Sequence, residues 1–426
     1  MSADAPARQQ AETGDITPVG EAAAVGSLWQ NRAFLTLWGG QSLSVFGSQV
    51  SQFALPWLVL DISRSAVSVG ALSAVSFLPY LLFALPAGVI ADRWNRRTIM
   101  LVCDAARGVL VFSIPLATFM GRLTLVQLFL VAALMRLFTI FFDVGYTACL
   151  PNLVKKTQLP DANGKLEMTR SAAELSGQPL AGVLVAIFTA AGTMVIDTVS
   201  YAVSVVSLLT IKRPFSAPAL RQEEGTFWGR MVEGLRFVWS NPLIRALTIA
   251  TAIGNLAASA PLSVFVYRAR IELHFSAAQT GIFLASTAIG QFCASFVVGR
   301  ITKKLPMGRQ ILLATMVQPI LVLGFGLTGN LAIMTGIGAL WGAAVTLLNI
   351  PSISLRQSVI PDHLLGRATS AIRMIAWCTV PIGSLGAGLL ASRYGARTTF
   401  FVAAGILALA VLYIAASPIP KARTNA

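Results

Sequence analysis

The chain has 426 residues, of which 55% are apolar and only 12% charged, with a mean hydropathy of +0.73. That balance excludes an ordinary water-soluble domain and places most of the polypeptide in lipid. The formal charge of +15 would suggest nucleic acid in a soluble protein, but no basic folded domain is left over to bind it, and nucleic acid is not expected as a partner.

Residues 1–27 are rich in Ala, Glu, Pro and Gly and lack an apolar core, which predicts a disordered cytosolic tail rather than a signal peptide. Beyond them, apolar runs cover approximately 31–60, 66–91, 98–120, 123–150, 168–190 and 193–211, then 243–267, 277–299, 310–328, 331–357, 367–392 and 397–417. A hydrocarbon core of roughly 30 Å takes about 20 residues of helix, and a helix satisfies its own backbone there. The fold class expected is therefore all-α: a polytopic membrane protein of twelve transmembrane helices in two pseudo-symmetric six-helix bundles. The N-terminal bundle spans 28–211 and the C-terminal bundle 243–417, with a cytosolic tail over 418–426. Gly121-Arg122, Gly192 and Gly329-Asn330 mark tight turns between antiparallel neighbours.

The linker, 212–242, contains an amphipathic pattern. Trp228, Met231, Val232, Leu235, Val238 and Trp239 recur at helical spacing opposite Arg230, Glu233 and Arg236, as in a helix lying on a membrane face. Asn241-Pro242 then starts the seventh span, with proline where its missing N–H does no harm.

Loop charges orient the chain. With both termini in the cytoplasm, most of the 32 Lys and Arg fall on the inner side, including Arg93, Arg96, Arg97, Lys155, Lys156, Lys212, Arg213, Lys303, Lys304 and Arg309. The outer side holds Arg64, Arg122, Arg268, Arg270, Arg393 and Arg397, while Arg107, Arg136 and Arg373 fall within spans. The expected location is the bacterial inner membrane, multi-pass, with the lipid bilayer as its surroundings and a monomer as the unit. Cys103, Cys149, Cys293 and Cys378 lie singly in apolar runs and read as small buried residues, with no metal or cofactor implied.

The two halves repeat. Gly164-Lys165 precedes Pro179 by the interval that separates Gly366-Arg367 from Pro381, and Pro160-Asp161 and Pro361-Asp362 come just before. Duplicated bundles are the construction of an alternating-access carrier with its site near the midplane. Polar residues inside the spans are few. Asp104 and Arg107, one turn apart, are expected to pair structurally. Arg136 stands near the middle of span four, where substrate contact and a long-range ion pair are both open. Gln41, Ser48 and Gln52 form a stripe on span one, Thr248, Thr251, Asn255 and Ser259 one on span seven, and Asn349 with Arg356 one on span ten. These stripes suit either a cavity wall or interhelical hydrogen bonds. Glu174 and Asp143 are the proton-coupling candidates, with Asp197 a third, whereas Asp61 and Glu272 fall in or beside outer loops and are set aside.

The segment Gly88-x-x-x-Asp92-Arg93-x-x-Arg96-Arg97 between spans two and three resembles the signature loop of the major facilitator superfamily. Leu55-Pro56-Trp57-Leu58, Phe142-Asp143 with Leu150-Pro151, and Gly366-Arg367 are similar to its enterobactin-exporter and macrolide-efflux branch. The resemblance implies secondary export of an amphipathic small molecule, a drug, antibiotic or siderophore, by alternating access coupled to protons. It also implies a central cavity lined by spans one, four, seven and ten, for which Gln41, Gln52, Arg136, Asn255 and Asn349 are the candidates. An inner gate is implied too, in which Asp92 and Asp143 share Arg93, Arg96 or Arg97 beside Gly88 and the start of span eleven. Span five departs from the drug-antiporter pattern, with Gln178 and Val183 at expected glycines, so antiport rests on the resemblance alone. A nutrient or metabolite importer of the same fold is the alternative. A polytopic membrane enzyme is remote, because only two isolated histidines, His274 and His363, are present and both lie in loops. No Walker lysine motif suggests ATP drive.

Overall fold

The computed structural model describes residues 28–155, 158–211 and 227–422, without the side chains of 84–93, 147–148, 160, 227–228, 230–231, 262 and 362–363. The tail over 1–27 and the first part of the linker lie outside these residues. Helices α1 (Arg32–Ser63), α2 (Ala66–Arg93), α3 (Arg96–Phe119), α4 (Leu125–Leu153) and α5 (Leu159–Thr210) form the first half. The linker helix α6 (Phe227–Ser240) precedes α7 (Pro242–Tyr267), α8 (Ala277–Lys304), α9 (Met307–Leu327), α10 (Leu331–Val359) and α11 (Asp362–Ala416). Among the described residues ten helices are long and apolar enough to cross a membrane. Two of them, α5 and α11, each hold two crossings, which makes twelve.

Contacts with α1 show the reversal inside α5. Trp38 of α1 donates to Thr169, and Gly177 packs on Gln49, so the first limb of α5 runs parallel to α1. Gly40 then faces Ser207 and Gly47 faces Ser200, so the second limb runs antiparallel. The chain turns at Thr189 (φ 66°), three residues before the expected Gly192. A β-branched residue there is strained. The Thr189 hydroxyl accepts from the Gly192 N–H at 3.3 Å and its carbonyl from the Thr193 hydroxyl at 2.6 Å, which caps the new limb. In α11 the equivalent turn falls at Gly395 (φ 81°), where no side chain opposes it.

The same pairing recurs in both halves: α1 packs on both limbs of α5, and α7 on both limbs of α11. Between halves, α2 meets α11 and α8 meets α5, as a two-fold axis relating the bundles requires. Asn241 caps α7 by accepting from the Leu243 and Ile244 N–H groups, with Pro242 at the first helical position as expected. We refer to the membrane face where α1 begins as the terminal face, and to the other as the far face.

Linker helix α6 packs part of its apolar stripe on protein. Leu235 and Val238 join a cluster with Ile244, Ala368 and Ile372, and Gly234 lies against the Arg367 carbonyl. Val232 and Trp239, on the stripe expected to meet a membrane face, are not covered by protein. Cys293 and Cys378 are likewise exposed, and only Cys103 and Cys149 match the buried expectation.

The N-terminal bundle closes around a buried polar network. Asp104 is 0% exposed and ion-paired with Arg107, as the spacing predicts. Asp104 also accepts from Ser204 and, at 3.5 Å, from Gln41. The Arg107 guanidinium lies 4.3 Å from the Phe142 ring centroid and 4.8 Å from that of Tyr201. Asp197 is also fully buried, accepting from Ser51 and Ser200.

Leaving a buried charge without its partner costs about 3–5 kcal/mol. Asp104→Ala is therefore expected to lower the melting temperature of the purified protein strongly, and the Asp104→Ala/Arg107→Leu double substitution to restore most of it. Equal melting temperatures for wild type and Asp104→Ala would remove the pair from the stabilising core.

Candidate functional site

The bundles approach most closely in the far half of the molecule. A Cβ on Gly182 would strike the Ala277 carbonyl and the backbone of Gly281, and one on Gly70 would strike the Ser384 carbonyl and Gly388. These small residues bring helices of opposite bundles backbone to backbone. Above them an ion pair crosses the interface: Arg270 pairs with Asp61 and donates to the Trp57 carbonyl at 2.7 Å, its guanidinium 4.5 Å from the Trp57 ring centroid. Arg270 sits in a short π-helical turn, Arg268–Glu272, that ends α7. Its neighbour Arg268 donates to the Gly326 and Thr328 carbonyls at 3.1 and 3.0 Å, fixing that turn on the end of α9. Sequence reasoning had set Asp61 aside as a loop acid, and no local spacing marks a partner so distant in the chain.

One helical layer toward the terminal face, aromatic rings bridge the bundles. Phe77 and Tyr80 of α2 lie 5.6 and 5.5 Å from Trp377 of α11, centroid to centroid. The Arg136 guanidinium stands 5.5 Å from the Phe77 ring centroid. Of the predicted cavity residues, Arg136 is thus the one placed beside this bridge. Asp143, two turns further along the same face of α4, is exposed, and the cations whose charge reaches it are Arg107, Arg170 and Arg136. Glu174 is half exposed and paired with Arg170 at 3.1 Å.

The remaining cavity candidates divide. Gln41 is 5% exposed and donates to Ser204 at 2.6 Å, so it belongs to the interior of its own bundle rather than to a chamber wall. Ser48 is bonded to the Tyr201 hydroxyl at 2.9 Å for the same reason. Gln52 is exposed on α1. Asn255 donates to the Ala376 carbonyl at 2.9 Å, and with Asn349 it lines a pocket inside the C-terminal bundle, not one between bundles.

At the terminal face, Gly88 lies in the last turns of α2, and the Asp92 and Arg93 side chains fall outside the described residues. Arg97 donates to the Leu208 and Leu209 carbonyls at 3.0 and 2.7 Å, capping the end of α5 within its own bundle. Arg96 is engaged as well. Near the start of α11, Arg367 pairs with Glu233 of α6 at 2.6 Å, so the linker helix is tied to the segment expected to face the gate.

Two six-helix bundles related by a two-fold, meeting through glycines and bridged by aromatic rings, define a membrane carrier of the alternating-access class. The chain belongs to the transmembrane secretion effector family of the major facilitator superfamily, whose sequence profile matches residues 24–426. It is 24% identical over 398 residues to the multidrug efflux pump Tap of Mycolicibacterium fortuitum, covering 88% of this chain and 93% of that one. It is 22% identical over 390 residues to macrolide efflux protein A of Streptococcus pyogenes, again covering 88% and 93%. In structure it resembles a bacterial homologue of the iron transporter ferroportin in its inward-facing state, with a TM-score of 0.73 and 19% identity over 90% of this chain and 98% of that one.

The Asp61–Arg270 pair is partly exposed, at 44% and 23%, so it is worth up to about 1 kcal/mol, or roughly fivefold in a two-state equilibrium. Spin labels at exposed Arg64 and Tyr394, on opposite bundles at the far face, report that equilibrium. Asp61→Asn is expected to shift up to about fivefold of the population toward longer distances, and the charge swap Asp61→Arg/Arg270→Asp to reverse the shift. Superimposable distance distributions in all three proteins would rule the latch out.

Proposed function

We propose that the protein exports amphipathic organic molecules from the cytoplasm, using proton entry as the drive. The observation that carries this reading is the Arg136–Phe77–Trp377–Tyr80 assembly between the bundles, below a far face held by glycine contacts and the Asp61–Arg270 pair. Flat rings with one cation suit a substrate that has both an apolar body and an electron-rich polar group. The efflux names of the two relatives, one multidrug and one macrolide, support the same direction and substrate class. Both termini and the linker then face the cytoplasm, consistent with the excess of Lys and Arg there.

In this reading Asp143 and Glu174 are the carboxylates that change protonation as access alternates. Asp143 lies within reach of three guanidinium groups and Glu174 beside Arg170, all in the N-terminal bundle, so what changes for each as access alternates is its contact with water and with the facing bundle. Asp92, Arg93, Arg96 and Arg97, with Gly88 giving close approach, act when the terminal face closes, a state opposite to the one described above.

An aromatic contact is worth about 0.5–1.5 kcal/mol, or about 2- to 12-fold in affinity. In inverted vesicles with an acidic interior, uptake of a macrolide or an amphipathic dye is expected, and Trp377→Ala should raise its apparent KM within that range. Glu174→Gln should uncouple uptake from the gradient if Glu174 is the coupling group. Uptake only by right-side-out vesicles would instead identify an importer, and an unchanged KM in Trp377→Ala would remove the aromatic assembly from the substrate path.

A further inference from the structure

The C-terminal bundle contains a pocket of about 100 Å³ that is separate from the interface between bundles. It lies between α7, α9, α10 and the limb of α11 after Gly395 and is partly open. Its polar lining is Thr251, Asn255, Thr315, Gln318, Asn349 and Ser352, and Trp341 forms part of the wall.

Most donors at this pocket are already used. The Thr251, Thr315 and Ser352 hydroxyls donate to the Leu247, Ile311 and Leu348 carbonyls at 2.7, 2.8 and 2.6 Å, and the Asn255 amide donates to Ala376. Two buried donors at or beside the pocket have no acceptor among the described residues: Nε2 of Gln318, a residue 4% exposed, and Nε of Arg356. Gln318 is itself a lining residue. The Arg356 guanidinium is not a lining group but stands directly behind two of them, donating to the Leu247 carbonyl at 3.1 Å and to the Thr251 hydroxyl.

Charge points the same way. Between residues 243 and 417 the sequence has only two acids, Glu272 and Asp362. Glu272 is at the far face, 3.8 Å from Arg268, and Asp362 begins α11. Among the described residues no carboxylate pairs with Arg356. A cation in this setting needs negative charge nearby, and an unpaired buried donor needs an acceptor. A space of this size takes only a few heavy atoms.

We propose that this pocket is a binding site for a small monovalent anion, a halide or a short carboxylate, held by the Gln318 amide and the Arg356 charge. The anion completes the C-terminal bundle and is distinct from the transported cargo. Its binding does not depend on the export reading, since it can be measured without transport.

The full-length protein in lipid nanodiscs is titrated with chloride or acetate replacing gluconate at constant ionic strength. A saturable rise in melting temperature of about 2–4 °C is expected, as for any ligand that binds the folded state alone. A saturable change in tryptophan fluorescence should accompany it and disappear in Trp341→Phe. Gln318→Leu, which removes the donor without adding charge, should weaken the midpoint at least tenfold, and Arg356→Gln should abolish the response. Should Arg356→Gln not fold, Gln318→Leu decides alone. Saturation by chloride identifies a halide site and saturation by acetate a carboxylate site, and either supports the proposal. A wild-type protein with no saturable response to either anion, or an unchanged midpoint in Gln318→Leu, overturns it.

Discussion

The architecture depends on backbone-to-backbone approach between bundles at two symmetry-related places, Gly182 with Gly281 and Gly70 with Gly388. Lipid tails are as apolar as leucine, so hydrocarbon gives the bundles no hydrophobic reason to associate, and dispersion contact over a close interface must do so. Glycine provides that closeness without side chains that interlock. Two smooth contacts, one on each side of the two-fold, form an axis about which the bundles can roll. A leucine at either place would hold the helices apart and leave the far half of the interface unpacked.

Charge is distributed in a way that respects this motion. Within the N-terminal bundle Asp104 and Arg107 are bonded to each other, to Ser204 and Gln41, and enclosed by two rings, so their pairing is internal to a rigid body. Arg97 and Arg268 neutralise helix ends of their own bundles. Among the described residues an ion pair that crosses the interface, Asp61–Arg270, is at the rim, where water takes over the freed charges. A fully buried pair in that place would cost several kcal/mol at every opening, whereas a rim pair costs about 1 kcal/mol or less. Strong pairs thus hold bundles together internally, and the weak one spans the moving boundary.

Much of this was legible from the residues. Crossing number, bundle division, the linker helix and the Asn241-Pro242 start follow from hydropathy and capping, which act over a few residues. The Asp104–Arg107 pair followed from helical spacing. What escaped was whatever depends on two distant segments meeting. Gln41 looks like a cavity residue on a helical wheel, yet its partners come from α3 and α5. Asp61 looks like a loop acid until Arg270 is brought beside it. Thr189, a poor residue for a positive φ, hid a turn that Gly192 seemed to announce. The linker stripe divides in a way periodicity does not show: Leu235 and Val238 pack on protein, whereas Val232 and Trp239 stay uncovered by it. The Asp92 and Arg93 side chains lie outside the described residues, so the inner gate stands on the signature motif alone.

The pseudo-symmetry also makes one asymmetry informative. The N-terminal bundle holds Asp104, Asp143 and Asp197 against Arg107 and Arg136 within its crossings, whereas the interior of the C-terminal bundle has Arg356 and no acid at a comparable depth. Duplication alone would have given both bundles similar electrostatics. Within the first, Asp104 and Arg107 pair one turn apart on a single helix, and opposite charges are present at the same depth for the rest. The second has a cation tied only to neutral acceptors, a hydroxyl and a carbonyl, beside a small space with a free amide donor. Neutral dipoles reduce the desolvation cost of a guanidinium but do not cancel its field. The interior of such a bundle carries a cation without a carboxylate among the described residues, which is why an anion from solution is the counter-charge proposed for it.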